Sequence, residues 1–416
     1  MKSSQLSVER LEFCKKVLFF IFLTSNFQLP TSNFLNAAKA YPIFDSKLML
    51  GQYFFEGKPS SWGGNIDASY AHALRFSEEL SFVPLALMRY QGTKSVTDLA
   101  GGGQLFQDSA SAAVQMKTII KRGKLKFKPS LGYRKEMLRE SKDEAWGDGL
   151  FDFAKPSAGM EFEYVYSPER YGGFSFDFYQ LKFPNYQSLE SQRSELKREN
   201  AQARILDSNN YVLGANWSLP LPVRSSVGIL KVDLARRDYP YQNIVLSSGE
   251  LSNEERKDGI LTVSLVGRAV YRMGRTTRVG LGAVAQRQRY ASNQNHYDSR
   301  GAKFTADYYD YKEETFKPKA EFAFGRAGAV YGLTLSYTRR QYLNRKVQDA
   351  GGRYLTDNIF IHQRGLILDV AFPLAGELKL LLSSSIADSS SNMAYEKIFR
   401  YNYTLSNHLL GFSYGF

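Results

Sequence analysis

Hydrolytic chemistry requires a nucleophile within hydrogen-bond reach of a base, and the usual base is scarce in this chain. Histidine occurs four times in 416 residues, as His72, His296, His362 and His408. His296 stands two positions from Asp298 in a polar stretch, but neither it nor His362 carries a recognisable catalytic motif. A Ser–His pair would need a serine supplied by a neighbouring element. Thiol chemistry is confined to Cys14, just before the apolar run Val17-Leu-Phe-Phe-Ile-Phe-Leu23. The remaining cluster is acidic: Glu140, Asp143, Glu144, Asp148 and Asp152 surround Trp146-Gly-Asp-Gly149. Its oxygens are too irregularly spaced for an EF-type calcium loop. The chain is therefore read as non-enzymatic, with no catalytic residue, cofactor or metal site.

The elements that must position these groups are strands. Leu125, Phe127, Pro129, Leu131 and Tyr133 alternate with Lys126, Lys128, Ser130, Gly132 and Arg134. Met160, Phe162, Tyr164 and Tyr166 alternate with Gly159, Glu161 and Glu163, and Phe316, Pro318, Ala320, Phe322 and Phe324 with Lys317, Lys319 and Glu321. A two-residue period puts the bulky set on one face and the charged set on the other. Pro129 and Pro318 each remove a ladder donor. After Val227 and Ile229 the apolar set passes to Leu230, Val232 and Leu234, which predicts a bulge near Ile229-Leu230. Tight turns near residues 74–79, 122–123, 167–170, 220–222, 273–275, 326–327 and 373–376 alternate with long polar loops. Those loops are expected near 92–107, 139–155, 184–208, 237–258, 291–313, 343–357 and 389–400.

The chain ends Leu410-Gly-Phe-Ser-Tyr-Gly-Phe416, so Leu410, Phe412, Tyr414 and Phe416 share one face and a terminal aromatic. This ending resembles that of bacterial outer-membrane β-barrel proteins, in which the terminal strand is read by the barrel-insertion machinery. The resemblance implies an all-β, closed antiparallel transmembrane barrel with short periplasmic turns and long outer loops. Counting eight outer loops, including a short one at 57–61, gives about 16 strands, with 14 if the first hairpin lies outside the wall. The composition agrees: 27 Tyr and 29 Phe suit aromatic girdles, yet no apolar run after Leu23 could span as a helix.

Lys15-Lys16, the short apolar run and Ala38-Lys39-Ala40 read as a secretory signal, cleaved after Ala40. Residues 41–416 then form one barrel domain without cysteine. Five basic and two acidic residues leave with the signal, so most of the net charge of +13 stays with the barrel. It is dispersed and belongs to no nucleic-acid-binding module, which argues against nucleic acid as a partner.

If the bulky face meets lipid, Lys126, Lys128, Arg134, Arg268, Arg272, Arg278, Lys317 and Lys319 line the lumen, with Glu161, Glu163 and Glu321 as the acidic counterpart. Such a wall either biases a pore toward anions or pairs its charges across strands. The acidic third outer loop is similar in position and chemistry to the inward constriction of sixteen-stranded general porins. The expected function is passive diffusion of small polar or anionic solutes. A surface receptor, an adhesin or a secretion-associated barrel is the alternative, and an outer-membrane hydrolase a weaker one. Expected partners are outer-membrane lipid and lipopolysaccharide, the insertion machinery and small solutes, with a homo-oligomer compatible with the same pattern.

Overall fold

Alternation over runs of twelve or more residues leaves a chain no stable solution except a sheet with one oily and one polar face. The computed structural model describes residues 39–92, 95–98, 103–106, 108–139, 144–167, 170–186, 204–222, 225–274, 276–298, 303–325, 328–396 and 400–416. The residues of the expected signal before Lys39 lie outside the described set.

Twenty strands follow in order. The first ten are β1 (Lys39–Phe55), β2 (Lys58–Arg75), β3 (Leu80–Gln91), β4 (Ser95–Asp98), β5 (Gly103–Phe106), β6 (Asp108–Arg122), β7 (Leu125–Arg139), β8 (Phe153–Ser167), β9 (Arg170–Leu181) and β10 (Ser208–Pro220). The second ten are β11 (Ser226–Val245), β12 (Leu251–Met273), β13 (Thr277–Ser292), β14 (His296–Asp298), β15 (Lys303–Thr305), β16 (Tyr311–Phe324), β17 (Ala329–Gln348), β18 (Tyr354–Ala375), β19 (Leu378–Ser391) and β20 (Tyr403–Gly415). Sixteen of them close an antiparallel barrel, β1-β2-β3-β6-β7-β8-β9-β10-β11-β12-β13-β16-β17-β18-β19-β20. The first hairpin belongs to the wall, which decides for sixteen staves over fourteen. The pairs β4–β5 and β14–β15 are small hairpins within outer loops.

The oily face points outward. Leu131, Trp217, Leu265 and Leu410 are each more than half exposed, at 63%, 56%, 56% and 51%, an arrangement only lipid can cover. Tight turns need left-handed backbone, and Gly123 (φ 59°) and Gly376 (φ 55°) supply it at two of them.

The structure corrects two local expectations. The stretches 237–258 and 343–357 are largely strand: β11 and β12 continue to Val245 and from Leu251, and β17 and β18 to Gln348 and from Tyr354. Their staves of 20 to 23 residues far exceed the ~10 needed to cross a membrane, so these hairpins rise above it. No bulge interrupts Ile229-Leu230, where the registers with β10 and β12 run unbroken. Val227 and Ile229 instead face inward near the tight-turn end. On β20, His408 lies on the outward face with Leu410 and Phe412, because both registers of the strand are continuous past Leu409-Leu410. Leu409 turns inward onto Met49 and Tyr53, and the His408 ring is satisfied by Ser384 Oγ, 2.9 Å from Nδ1.

The two prolines act on the ladder as their missing N–H requires. Pairing of β6 with β7 skips the positions between Lys117↔Ser130 and Ile120↔Phe127, beside Pro129. Pairing of β16 with β17 skips Lys317 and Pro318.

Closure falls between β1 and β20, in register from Asp45↔Gly415 to Phe55↔Leu405. Phe416 extends it, exchanging two backbone hydrogen bonds with Phe44. The backbones approach closely here: a Cβ on Gly411 would strike the Leu48 carbonyl, and one on Gly51 the His408 carbonyl. Leu410, Phe412, Tyr414 and Phe416 are all exposed outward, as a belt facing lipid requires.

Candidate pore lining

The inward face carries two differently built walls. On β6, β7 and β8 the cations and carboxylates meet. Lys126 pairs with Glu163 at 2.6 Å, Lys128 with Glu163 at 2.6 Å and with Glu161 at 3.4 Å, and Lys117 with Glu161 at 2.8 Å. The register explains it, since Lys126 lies opposite Glu163 and Lys128 opposite Glu161. Arg134 bonds Glu136 on its own strand. Lys126, Lys128, Arg134, Glu161 and Glu163 therefore each have a partner, whereas Lys121, opposite Lys126, forms no ion pair among the described residues.

The opposing stretch, on β12, β13 and β16, is different. Arg268, Arg272 and Arg278 are exposed to the interior and form no ion pair or side-chain hydrogen bond among the described residues. Arg272 and Arg278 stand directly opposite each other, an arrangement of like charges that costs stability in a sheet. Lys317 is likewise unpaired and exposed on β16, while Lys319 is held by Glu321 at 2.8 Å. These groups occupy the tight-turn half of the wall.

Toward the loop end, the same sector is sealed by a buried layer that sequence reasoning missed. Arg256 forms a two-point salt bridge with Asp258 (both contacts 2.9 Å), donates to Tyr290 Oη at 3.1 Å and to Gln242 Oε1 at 3.2 Å. Its guanidinium lies over the rings of Tyr239 and Tyr309 at 4.6 and 4.4 Å. Arg345 donates to Tyr401 Oη at 2.6 Å and stacks over Tyr308 and Tyr342. Delocalised guanidinium planes suit such burial. Tyr308, Tyr309 and Asp310 come from the segment that follows β15, so a loop folds against the inner wall. The available signal was Tyr308-Tyr309-Asp310-Tyr311, too aromatic for a solvated loop.

Of the acidic third outer loop, Glu140 and Asp143 lie outside the described residues. The rest is anchored at the rim. Trp146 meets Tyr90 edge-on at 6.2 Å and lies under the Arg139 guanidinium at 4.3 Å. Asn185 donates to the carbonyls of Gly147 and Gly149. Asp152 is buried and accepts the Leu138 N–H at 2.7 Å; burial pushes its carboxyl above the ordinary range, against the pull of that bond. The Glu144 carbonyl accepts from Arg139 at 3.4 Å, and the Asp148 N–H bonds the Ala145 carbonyl.

The histidines are dispersed. His296 packs on Tyr308, His362 accepts or donates to Tyr337 Oη at 2.8 Å, and His72 meets Tyr70 at 3.0 Å. The Ser384–His408 pair has the serine from a neighbouring strand that hydrolysis would ask for, yet the second ring nitrogen meets no acid or amide among the described residues.

Sixteen staves closed without an edge, an outward oily belt and a charged interior define an outer-membrane β-barrel protein of porin-like architecture. Its place is the bacterial outer membrane. No family model matches the sequence, and no curated protein matches it. Among solved structures, the chain is similar to OmpT, an outer membrane protein of Vibrio cholerae (10% identity, 93% of this chain and 99% of that one, TM-score 0.45). It is also similar to OpdK of Pseudomonas aeruginosa (10%, 90% and 99%, 0.44) and OpdQ of the same organism (12%, 92% and 99%, 0.43). Likenesses of this size extend to neither solute nor partner.

Proposed function

We propose that the protein is a non-enzymatic channel for passive diffusion of small anionic solutes. One observation carries the reading: Arg268, Arg272, Arg278 and Lys317 are exposed to the interior without carboxylate partners among the described residues, two of them face to face. Unpaired cations in a low-dielectric wall raise the local concentration of anions, whereas on β6–β8 Lys117, Lys126 and Lys128 are held by Glu161 and Glu163. The buried layer around Arg256 and Arg345 lies at the loop end of the same sector, with its own cations already engaged. The test is the reversal potential of the purified protein in planar bilayers under a potassium chloride gradient. Chloride preference is expected; a potassium preference, or no conductance from correctly folded protein, would overturn the reading.

A further inference from the structure

On the outside of the barrel a second set of cations stands where lipid headgroups, not acyl chains, must lie. Along β17 the outward residues run Ala329, Tyr331, Leu333, Leu335, Tyr337 and then Arg339. Nine residues from Ala329 to Tyr337 make roughly 27 Å of strand at ~3.4 Å per residue, or close to 20 Å of height at a tilt of about 40°. Arg339 therefore falls at the outer edge of a ~25 Å oily band. The neighbouring staves change character at the same level. On β13 the outward set Val279, Leu281, Ala283 and Ala285 gives way to Arg287 and Arg289. On β16 Lys312 and Glu314 lie above Phe316, and on β18 Arg364 lies above Leu366.

These side chains are exposed, and the register places them side by side: Arg289 opposite Lys312, Glu314 opposite Arg339, and Arg364 opposite Tyr337. Arg289, Lys312, Arg339 and Arg364 form no ion pair or side-chain hydrogen bond among the described residues. The acids nearby offset little. Glu314 is 3.8 Å from Arg287, and Asp388, opposite Arg364, makes no bridge to it. Arg289 facing Lys312 is a like-charge pair that an isolated sheet would pay for. Among the described residues, the other side of the barrel lacks such a collar. At this height β3, β6 and β8 present Met88, Ala112 and Pro156 outward, and β7 contributes Lys135 alone.

We infer that the outer ends of β13, β16, β17 and β18 form a binding site for a phosphorylated glycolipid of the outer leaflet. Its phosphates sit among Arg287, Arg289, Lys312, Arg339 and Arg364, and its acyl chains lie on the oily belt directly below. Both halves of that ligand are matched in one place: fixed cations for phosphate at headgroup level, and exposed aliphatic and aromatic surface beneath. A free anion would use only the first half. The site depends on the barrel's placement in the outer membrane and is independent of the channel reading.

The test compares folded, detergent-solubilised protein with the triple variant R289Q/K312Q/R339Q and the far-side control K135Q. Folding of each is confirmed by heat-modifiable gel migration. The probes are purified lipopolysaccharide, the same material after enzymatic removal of its lipid A phosphates, and inorganic phosphate. Lipopolysaccharide affinity is expected to fall at least tenfold in the triple variant and to stay within twofold of wild type in K135Q. The dephosphorylated lipid should bind wild type as weakly as intact lipid binds the triple variant, and inorganic phosphate should not compete at millimolar concentration. Equal affinity of wild type and triple variant, or equal binding of intact and dephosphorylated lipid, would overturn the proposal. So would efficient competition by inorganic phosphate, which would reduce the site to one for a free anion.

Discussion

The wall of β6–β8 and the wall of β12–β16 draw on the same residue types and arrive at opposite electrostatics. On the first, a shift of neither strand is needed to bring Lys126 opposite Glu163 and Lys128 opposite Glu161, and each of the four charges is paired, Lys117 sharing Glu161. On the second, Arg272 meets Arg278 and Arg268 meets Gly282, so no carboxylate stands directly opposite these arginines, and Glu321 on the next strand is held by Lys319. Composition alone does not distinguish them. Register does, because a cross-strand neighbour and not the charge count decides whether a lumenal cation is available to a solute.

The comparison presupposes a closed barrel, so the largest effect comes from opening it. Gly411 and Gly51 sit where β20 and β1 approach too closely for a Cβ. G411A is expected to abolish assembly, leaving little heat-modifiable protein in the membrane fraction, whereas substitution at Gly267, where a side chain would meet nothing, should assemble normally. Normal yields of G411A would show that the seam is looser than described and that both walls are less firmly placed.

Next in size is a reversal of sign on the unpaired wall. R272E/R278E replaces two free cations by two carboxylates without touching the β6–β8 network. The anion preference should invert, with a permeability ratio changed by roughly tenfold, the lower end of what focused fields achieve. An unchanged reversal potential would mean that the selectivity lies elsewhere, in the layer around Arg256 or in the outer loops.

The complementary change sharpens the contrast from the other side. E163Q leaves Lys126 and Lys128 without their shared partner, and both lysines are largely enclosed. It should make the paired wall behave like the unpaired one: anion preference should rise by about twofold, and stability should fall by about 1–3 kcal/mol, since partly buried charges lose their bonds. Denaturant titration of the folded band measures the second quantity. A gain in selectivity without loss of stability would mark the network as surface-like.

Most of this architecture was legible in the chain because its signals are local. Alternation at Leu125–Arg134 and at Phe316–Glu321, turn residues such as Gly123, and the terminal Phe416 each report on a few neighbouring residues, and together they fix stave number and facing. The paired wall was half legible, since Lys126/Lys128 and Glu161/Glu163 lie on strands consecutive in the chain, joined by the third outer loop. What stayed hidden depends on distance along the chain. Arg345 and Tyr401, joined by a hydrogen bond, are 56 residues apart, and Arg256 on β12 reaches Tyr290 on β13 and Tyr309 in the loop beyond β15. The expected bulge at Ile229-Leu230 failed for a different reason. Apolar residues are allowed on the inner face near the tight turns, so a run of Val227, Ile229 and Leu230 need not signal a slip.

The smallest effect concerns the loop that borders the paired wall. Asp152 is buried against the Leu138 N–H, and burial raises its carboxyl above the ordinary value despite that bond. A carboxyl raised on folding contributes stability that is present below its unfolded value, near 3.9, and is lost as pH rises through the raised folded value. D152N keeps an oxygen to accept from Leu138 but cannot ionise. Its stability relative to wild type should therefore increase between pH 4 and pH 7, by an amount on the order of 1 kcal/mol, about what a shift of one pKa unit is worth. Amide exchange across residues 144–152, corrected for intrinsic rates, would report the same trend as loop protection. If wild type instead gained on D152N as pH rose, the ionised carboxylate would be the favoured form in the fold. Asp152 would then join Glu161 and Glu163 as a stabilised anion, and the boundary between rim and paired wall would have to be drawn above it.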